Sequence, residues 1–527
     1  MLTFYDALDN PATFEDVSAN GTTLVSETDY NPYGQVLRNN YQDPTLPNQL
    51  SVTHTYADGT NRLATTLAER ATSTNYMIGN RAYTYDPSGD ITTIADTPQG
   101  AAADTQCFNY DYVQRLTQAW TPGSGNCATT PSVTGLGGAA PYWTSWTFDQ
   151  TGNRLTQTQH GSGGDSTAVS TYPAAGQVQP HVIQALDTTG PGGTTHAGYT
   201  YDPAGRTLTQ GASGAGLTFT YDAEGRVATA TDAAGKVSSY TYDADGKLFL
   251  TKDATGTTLT LNDLELFRAA GTSSTIGTRF YTFNGHPVAE RNATTGLSWM
   301  LTDNQDTTYA TVNADNLAVA QRWQDPYGVA RGPAPTGWPD KHGYLGGYQN
   351  TTGLTHLGAR DYDPLTGRFT TVDPIMDTTN PQQFNGYSYA GGNPVMFSDP
   401  SGLCHGPDGS CPLPGGGYGG GDACRNGGWS CGDSNPNVCG CTGSPGGGGG
   451  SSDSDVGSPG RGRAPDFDLL GLIGAPERPS KIVTPLSLFS LMPGYLTQRE
   501  TSRNSLWREA GSFLSATTRT YNLMPKM

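Results

Sequence analysis

"YDPAGRTLTQGASGAGLTFTYDAEGRVATATDAAGKVSSYTYDADGKL", residues 201–248, repeats one short phrase three times. Tyr201-Asp202, Tyr221-Asp222 and Tyr242-Asp243 open the copies, at spacings of 20 and 21 residues. "TDAAGKV" (231–237) falls midway between two of them, and "YDPSGDI" (85–91) and "FDQTGNRL" (148–155) fit the same template. The residues leading into each Tyr-Asp, as in "TFTYD" and "SSYTYD", alternate side chains with period 2, which predicts strands. In D-x-x-G the aspartate accepts local backbone hydrogen bonds and the glycine tolerates positive φ, which predicts a turn. "RVATAT" then leaves as the return strand. Each repeat is therefore a hairpin of roughly 20 residues, and a lone hairpin is marginal in water. Set side by side, the hairpins make a continuous sheet with a shared apolar face.

Composition points the same way. Charged residues are 14% of the 527, against about 25% in average domains. Gly (70) and Tyr (28) are abundant, which suits short strands joined by tight turns and does not suit a helical protein. The net charge of −18 disfavours nucleic acid and anionic lipid as partners. Much of that acid stands at the recurring turn positions. The most apolar tail segment, "IVTPLSLFSLMPGYL" (482–496), is short and broken by Pro485 and Pro493, so no transmembrane helix is expected. "MLTFYDALDN" has no basic start or apolar core, so no signal peptide is visible.

After residue 320 the pattern changes. "QRWQDPYGVARG" (321–332) is followed by "KHGYLGGYQNTTGLTHLGARDYDPLTGRFTTVDP" (341–374) and "FNGYSYAGGNPVMFSDPSGL" (384–403). A hairpin turn centred near Leu365 in "DPLTG" would set Asp361 opposite Phe369. Asp373 would then lie about 13 Å further along, so a bend is needed to bring the two carboxylates together. Asp399 in "SDPSGL" reads as a turn residue.

The repeats resemble those of the YD-repeat, or RHS, family over roughly residues 1–403. Teneurin ectodomains and the cocoon subunits of bacterial toxin complexes are similar in the same repeats. The resemblance implies an all-β fold, a sheet of hairpins spiralling into a hollow shell or part of one. The segment 320–403 is similar to the RHS repeat-associated core, with its A-R-x-Y-D-P, G-R-F, D-P-I and N-P-V-x-x-x-D-P-x-G-L elements in order. That resemblance implies a plug in the shell that cuts its own chain after D-P-x-G-L, here at Leu403–Cys404. It implies paired aspartates, carried onto Asp361 and Asp373 with Arg360 beside them. Two close carboxylates share a proton, and so can serve as base and acid on an amide held in the same chain. The D-P-I-G-L of many members is "DPIMD" (373–377) here.

Beyond Leu403 the composition breaks. Cys404, Cys411, Cys424, Cys431, Cys439 and Cys441 lie among Gly and Pro, and the linker "GSPGGGGGSSDSD" (443–455) follows. These cysteines are candidates for disulfides if the segment is exported, or else belong to a reduced linker. Cys107 and Cys127 in the body are candidates for one more bridge. No pair has the two-residue gap of a zinc knuckle, and neither a metal nor another cofactor is expected. The tail from Gly460 carries nine basic and five acidic residues, and "TSRNSLWREAGSFLSATTR" (501–519) has helical spacing. The expected organisation is a repeat shell at 1–319, the core at 320–403, a disordered Cys/Gly-rich linker at 404–459 and a short, partly helical tail at 460–527. Within the RHS family the last part is variable and is often a toxin. The tail has no histidine or cysteine, which excludes Cys–His and His–metal chemistry there. The implied partners are the chain's own C-terminal segment as cargo, with an immunity protein or secretion component, at a secreted or cell-surface location. A second reading is a non-enzymatic surface protein used in adhesion or carbohydrate binding.

Overall fold

The computed structural model describes residues 1–19, 21–376, 381–404 and 406, and the backbone of 412–413 and 417–418. The expected linker, tail helix and cysteines 411, 424, 431, 439 and 441 lie outside the described residues. From Leu2 to Gln321 the chain forms one 27-stranded sheet. Each strand pairs antiparallel with its neighbour in sequence, as Leu217–Tyr221 does with Val227–Asp232, and that strand with Val237–Tyr242. Among the described residues no helix is long and apolar enough to cross a membrane.

The repeat motif explains how the sheet propagates. In "YDAEGR" the Asp222 Oδ1 accepts the backbone N–H groups of Glu224 and Arg226, and Gly225 sits at φ 87°. Asp202, Asp149, Asp243 and Asp303 make the same turn. The arginine that ends the phrase folds back onto its aspartate, 2.8 Å for Arg226 Nε on Asp222. Its guanidinium then covers the tyrosine of the next repeat, Arg206 over Tyr221 and Arg226 over Tyr242. That tyrosine donates its hydroxyl to the carbonyl just after the arginine, Tyr221 to Thr207 and Tyr242 to Val227. Tyr56, Tyr85 and Tyr110 repeat the bond to Val36, Leu63 and Ile91. Each repeat is thus fastened to the previous one by a side chain as well as by the strand ladder.

The sheet coils until its start meets its end. Phe14, Tyr41, Leu50 and Val52 share one buried cluster with Phe283, Trp299 and Val312. Phe14 stacks on Phe283 at 5.5 Å, Tyr41 lies tilted against Trp299 at 5.6 Å, and Tyr281 donates its hydroxyl to Asp16. A cavity of about 450 Å³ remains beside this seam, lined in part by Tyr56, Phe283 and Tyr309. Cys107 and Cys127 are joined by a disulfide within the wall.

The core segment packs against the wall from several sides. Tyr327, Tyr362, Phe369 and Tyr389 form one cluster with the wall residues Tyr83, Phe108 and Trp146. Leu354 joins Phe219 and Tyr240. A buried ion pair, Arg331 to Asp104 at 2.8 Å, ties the start of the core to the wall.

Candidate functional site

The core carries a small four-stranded sheet, Tyr348–Gln349, Thr355–Leu357, Arg360–Asp363 and Arg368–Phe369. Its last hairpin is one residue longer than the sequence suggested. Gly367, at φ 65°, donates to the Asp363 carbonyl, and Tyr362 rather than Asp361 pairs with Phe369. Asp361 instead pairs across the strand with His356. Since side chains alternate along a strand, this one-residue change decides which residues share a face.

Arg360 and Tyr362 fall on the Phe369 face, the Arg360 guanidinium lying 3.6 Å from that ring's centre. Asp361 falls on the other face, where His356 Nδ1 lies 3.1 Å from its carboxylate and the His356 ring meets Tyr242 of the wall. The strand thus turns the expected Asp361 toward His356 and not toward the Arg360 guanidinium. The carboxylate that shares Arg360 with Asp373 is Asp399. Arg360 Nη2 donates to Asp373 Oδ2 at 2.8 Å and to Asp399 Oδ2 at 3.0 Å. Its other nitrogens go to the Gly386 carbonyl at 2.9 Å and to the Gly402 carbonyl.

Two glycine turns make this approach possible. Ala359 donates its N–H to the Ser401 carbonyl, so the turn before Arg360 lies directly on the turn after Asp399. Gly358 and Gly402 both have positive φ, and a Cβ on either would run into the main chain of the other turn. Gly386 then bridges to the third segment, its carbonyl accepting both Arg360 and the Asp373 N–H.

Asp399 is nearly fully buried, and its second oxygen faces the Leu403–Cys404 bond. Oδ1 accepts the Ser401 hydroxyl at 3.0 Å, the Leu403 N–H at 3.1 Å and the Cys404 N–H at 3.2 Å. Asp399 is thus a turn residue, as read from the sequence, and also the carboxylate that accepts the Cys404 N–H. The signal was its place in the last D-P-x-G-L, which serves both purposes at once. Cys404 is itself disulfide-bonded. Asp373 is half-buried and borders a largely apolar cavity of about 220 Å³ with Val372, Tyr387 and Phe384. Burial pushes its carboxyl up to about 6, opposed by Arg360 and reinforced by Asp399. Burial lowers Arg360, opposed by its two carboxylates. Among the described residues no group of three or more His, Cys, Asp or Glu side chains is set to hold a metal.

Comparison with known proteins points to the same fold. The teneurin YD-shell family model matches residues 35–395. Teneurin-1 of Gallus gallus is 32% identical over 127 residues, which is 23% of this chain and 5% of that protein. Teneurin-4 of Homo sapiens is 30% identical over 131 residues, 24% of this chain and 5% of the relative. The chain therefore spans a small fraction of the curated relatives it matches. Among solved structures, TcdB2-TccC3 without its hypervariable C-terminal region aligns with 76% of this chain and 20% of its own, at TM-score 0.61 and 18% identity. A Photorhabdus luminescens Tc holotoxin pore aligns with 76% of this chain and 21% of its own, at TM-score 0.52 and 16% identity. At those identities the likeness is one of fold, and it agrees with the coiled wall and its packed core. The model match covers well over half of the sequence, and the chain belongs to the teneurin YD-shell family.

Proposed function

We propose that this chain is an RHS-type shell whose core cuts the Leu403–Cys404 bond with Asp373 and Asp399, freeing the C-terminal segment that it carries as cargo. One observation carries the reading. Asp399 contacts the Cys404 amide nitrogen with one oxygen and shares Arg360 with Asp373 through the other. Burial and the like charge of Asp399 favour one proton on Asp373, raising its carboxyl to about 6 against the opposing Arg360 guanidinium. The ionised member takes a proton from water as the water oxygen adds to the Leu403 carbonyl carbon. The protonated member gives its proton to the Cys404 nitrogen as the C–N bond breaks. The products are a Leu403 carboxylate and a Cys404 amine, and a single turnover within the chain suffices. The cavity beside Asp373 supplies a route for the water.

In this reading residues 1–319 are wall, 320–403 core, 404–459 linker and 460–527 the end of the released piece, at a secreted or cell-surface location. The similarity to a shell described as lacking a hypervariable C-terminal region supports a variable segment at this point in the chain. Intact-mass analysis of the full chain tests it, on incubation between about pH 5 and 8. Two pieces meeting at Leu403/Cys404 are expected. A chain that stays whole across that range removes the proposal.

A further inference from the structure

On the wall, far in sequence from the core site, three side chains stand in a row. Ser145 Oγ lies 2.7 Å from His160 Nε2, and His160 Nδ1 lies 2.9 Å from Asp165. Carboxylate-paired histidines recur on this sheet, as His196 with Asp187 and His286 with Asp306, so that half of the arrangement says little. The serine on the second ring nitrogen is what sets His160 apart. With Nδ1–H donated to Asp165, Nε2 presents a lone pair to the Ser145 hydroxyl, which is the tautomer a general base needs.

The local fold holds these groups in place. Ser145 lies on the strand Trp143–Phe148, whose buried neighbours Thr144 and Trp146 face inward, Trp146 onto Tyr327 of the core. Trp143, Ser145 and Thr147 therefore share the opposite face, where Thr147 is exposed. His160 and Asp165 flank the Gly-rich turn of the next hairpin, which Gly164 closes on Gly161. The Trp143 indole stacks on the imidazole at 3.8 Å and fixes its plane. Its indole N–H is buried without an acceptor. Gln118 stands directly across from Ser145, its Oε1 accepting from Asn109, which leaves its amide nitrogen as a donor on the serine's face. Donors of this kind serve where an oxyanion develops.

We propose that Ser145, His160 and Asp165 form an acyl-transfer site on the outer face of the wall, taking esters of small acyl groups. Ser145 Oγ adds to the ester carbonyl carbon while its proton passes to His160 Nε2. The C–O bond to the leaving alcohol then breaks, and the alcohol departs with that proton. Water, deprotonated by His160, hydrolyses the acyl-serine and returns the acid. His160 is the base in both halves, and Asp165 positions it. The Asp165 side chain is 52% exposed and the site is open, which restricts the substrates to small or surface-presented esters.

The test uses the full chain with a fluorophosphonate probe and with p-nitrophenyl acetate. Phosphonylation localised by peptide mass to Ser145 is expected. Ester hydrolysis should fall by at least about 100-fold in His160→Gln and in Ser145→Ala, the range of a lost general base. Asp165→Asn should lower hydrolysis while leaving the chain folded by circular dichroism, which a merely structural aspartate would not do. Ser145 labelled no faster than other exposed serines, or labelled equally in folded His160→Gln, overturns the proposal.

Discussion

Replacing Asp399 by Asn separates chemistry from architecture at the core site. The Arg360 side chain is 3% exposed, so the fate of its charge decides whether the variant folds. In Asp399→Asn the guanidinium keeps Asp373 at 2.8 Å and the carbonyls of Gly386 and Gly402. The loss is one charge-assisted hydrogen bond, about 1.5–3 kcal/mol. Stripping a buried charge of its whole partner set would cost about 3–5 kcal/mol. The amide oxygen of Asn also still accepts the Leu403 and Cys404 N–H groups. Catalysis suffers more. Removing an acid–base group costs about 10²–10⁴ in rate, or roughly 3–5 kcal/mol of barrier. The expected result is a folded chain that remains whole. The assay is a time course of intact masses for the parent and Asp399→Asn, with a denaturation curve for each. Asp361→Asn is the companion, because its carboxylate faces His356 and should be dispensable for cutting. A folded Asp399→Asn that cuts within about tenfold of the parent refutes the reasoning. An Asp361→Asn variant that is folded and inert refutes the assignment of the pair.

Four further outcomes follow from the core site and the wall. Cleavage should slow by roughly tenfold per pH unit above the Asp373 value of about 6, as the pair loses its shared proton, and time courses in buffers across that value will show it. A raised folded-state value also means that the folded chain loses stability as pH climbs from the ordinary carboxylate range through about 6, readable in denaturant midpoints. Tyr221→Phe removes the bond to the Thr207 carbonyl and should cost about 1 kcal/mol in chemical denaturation, without altering the far-ultraviolet spectrum. Replacing Cys107 and Cys127 by Ser opens a loop of 20 residues and should cost about 3 kcal/mol, measured the same way under non-reducing conditions.

The wall was legible because its determinants are local. Tyr, Asp, Gly and Arg at fixed offsets define a turn, and the period of the turns defines the neighbour in the sheet. The seam was not legible, since nothing near Phe14 or Tyr41 names Phe283 or Trp299 as a partner. At the site, Arg360 and Asp373 stand out within one short stretch, and the resemblance pointed to both. The resemblance carries the second carboxylate onto Asp361, the immediate neighbour of Arg360, while Asp399 reads as a turn residue. Adjacency on a strand puts two side chains on opposite faces, and one extra residue in the hairpin loop was enough to shift the pairing. Asp399 lies 39 positions from Arg360 and meets it through two facing glycine turns. Their closeness is a property of backbone packing that no motif spacing expresses.

That packing also links the site to the wall. Gly386 receives both Arg360 and the Asp373 N–H, and the next residue, Tyr387, donates its hydroxyl to the carbonyl of Gly205 in the first repeat turn quoted above. Thr370 accepts the Thr207 N–H and hydroxyl one strand away. The acid pair is therefore positioned by bonds to wall residues more than 160 positions upstream. A core without its wall lacks these anchors, so the cut should report completion of the shell. Tyr387→Phe tests this at a distance from the chemistry. It deletes one buried hydrogen bond, about 1–3 kcal/mol with the Gly205 carbonyl left unpaired, and touches neither carboxylate. Displacements of about 1 Å in a positioned site cost up to about 100-fold in rate. Cleavage of Tyr387→Phe should thus slow by more than its small shift in denaturation midpoint would suggest, as read by the same intact-mass time course. Cutting at the parent rate would show that the pair is set within the core alone, and that the wall encloses the reaction without assembling it.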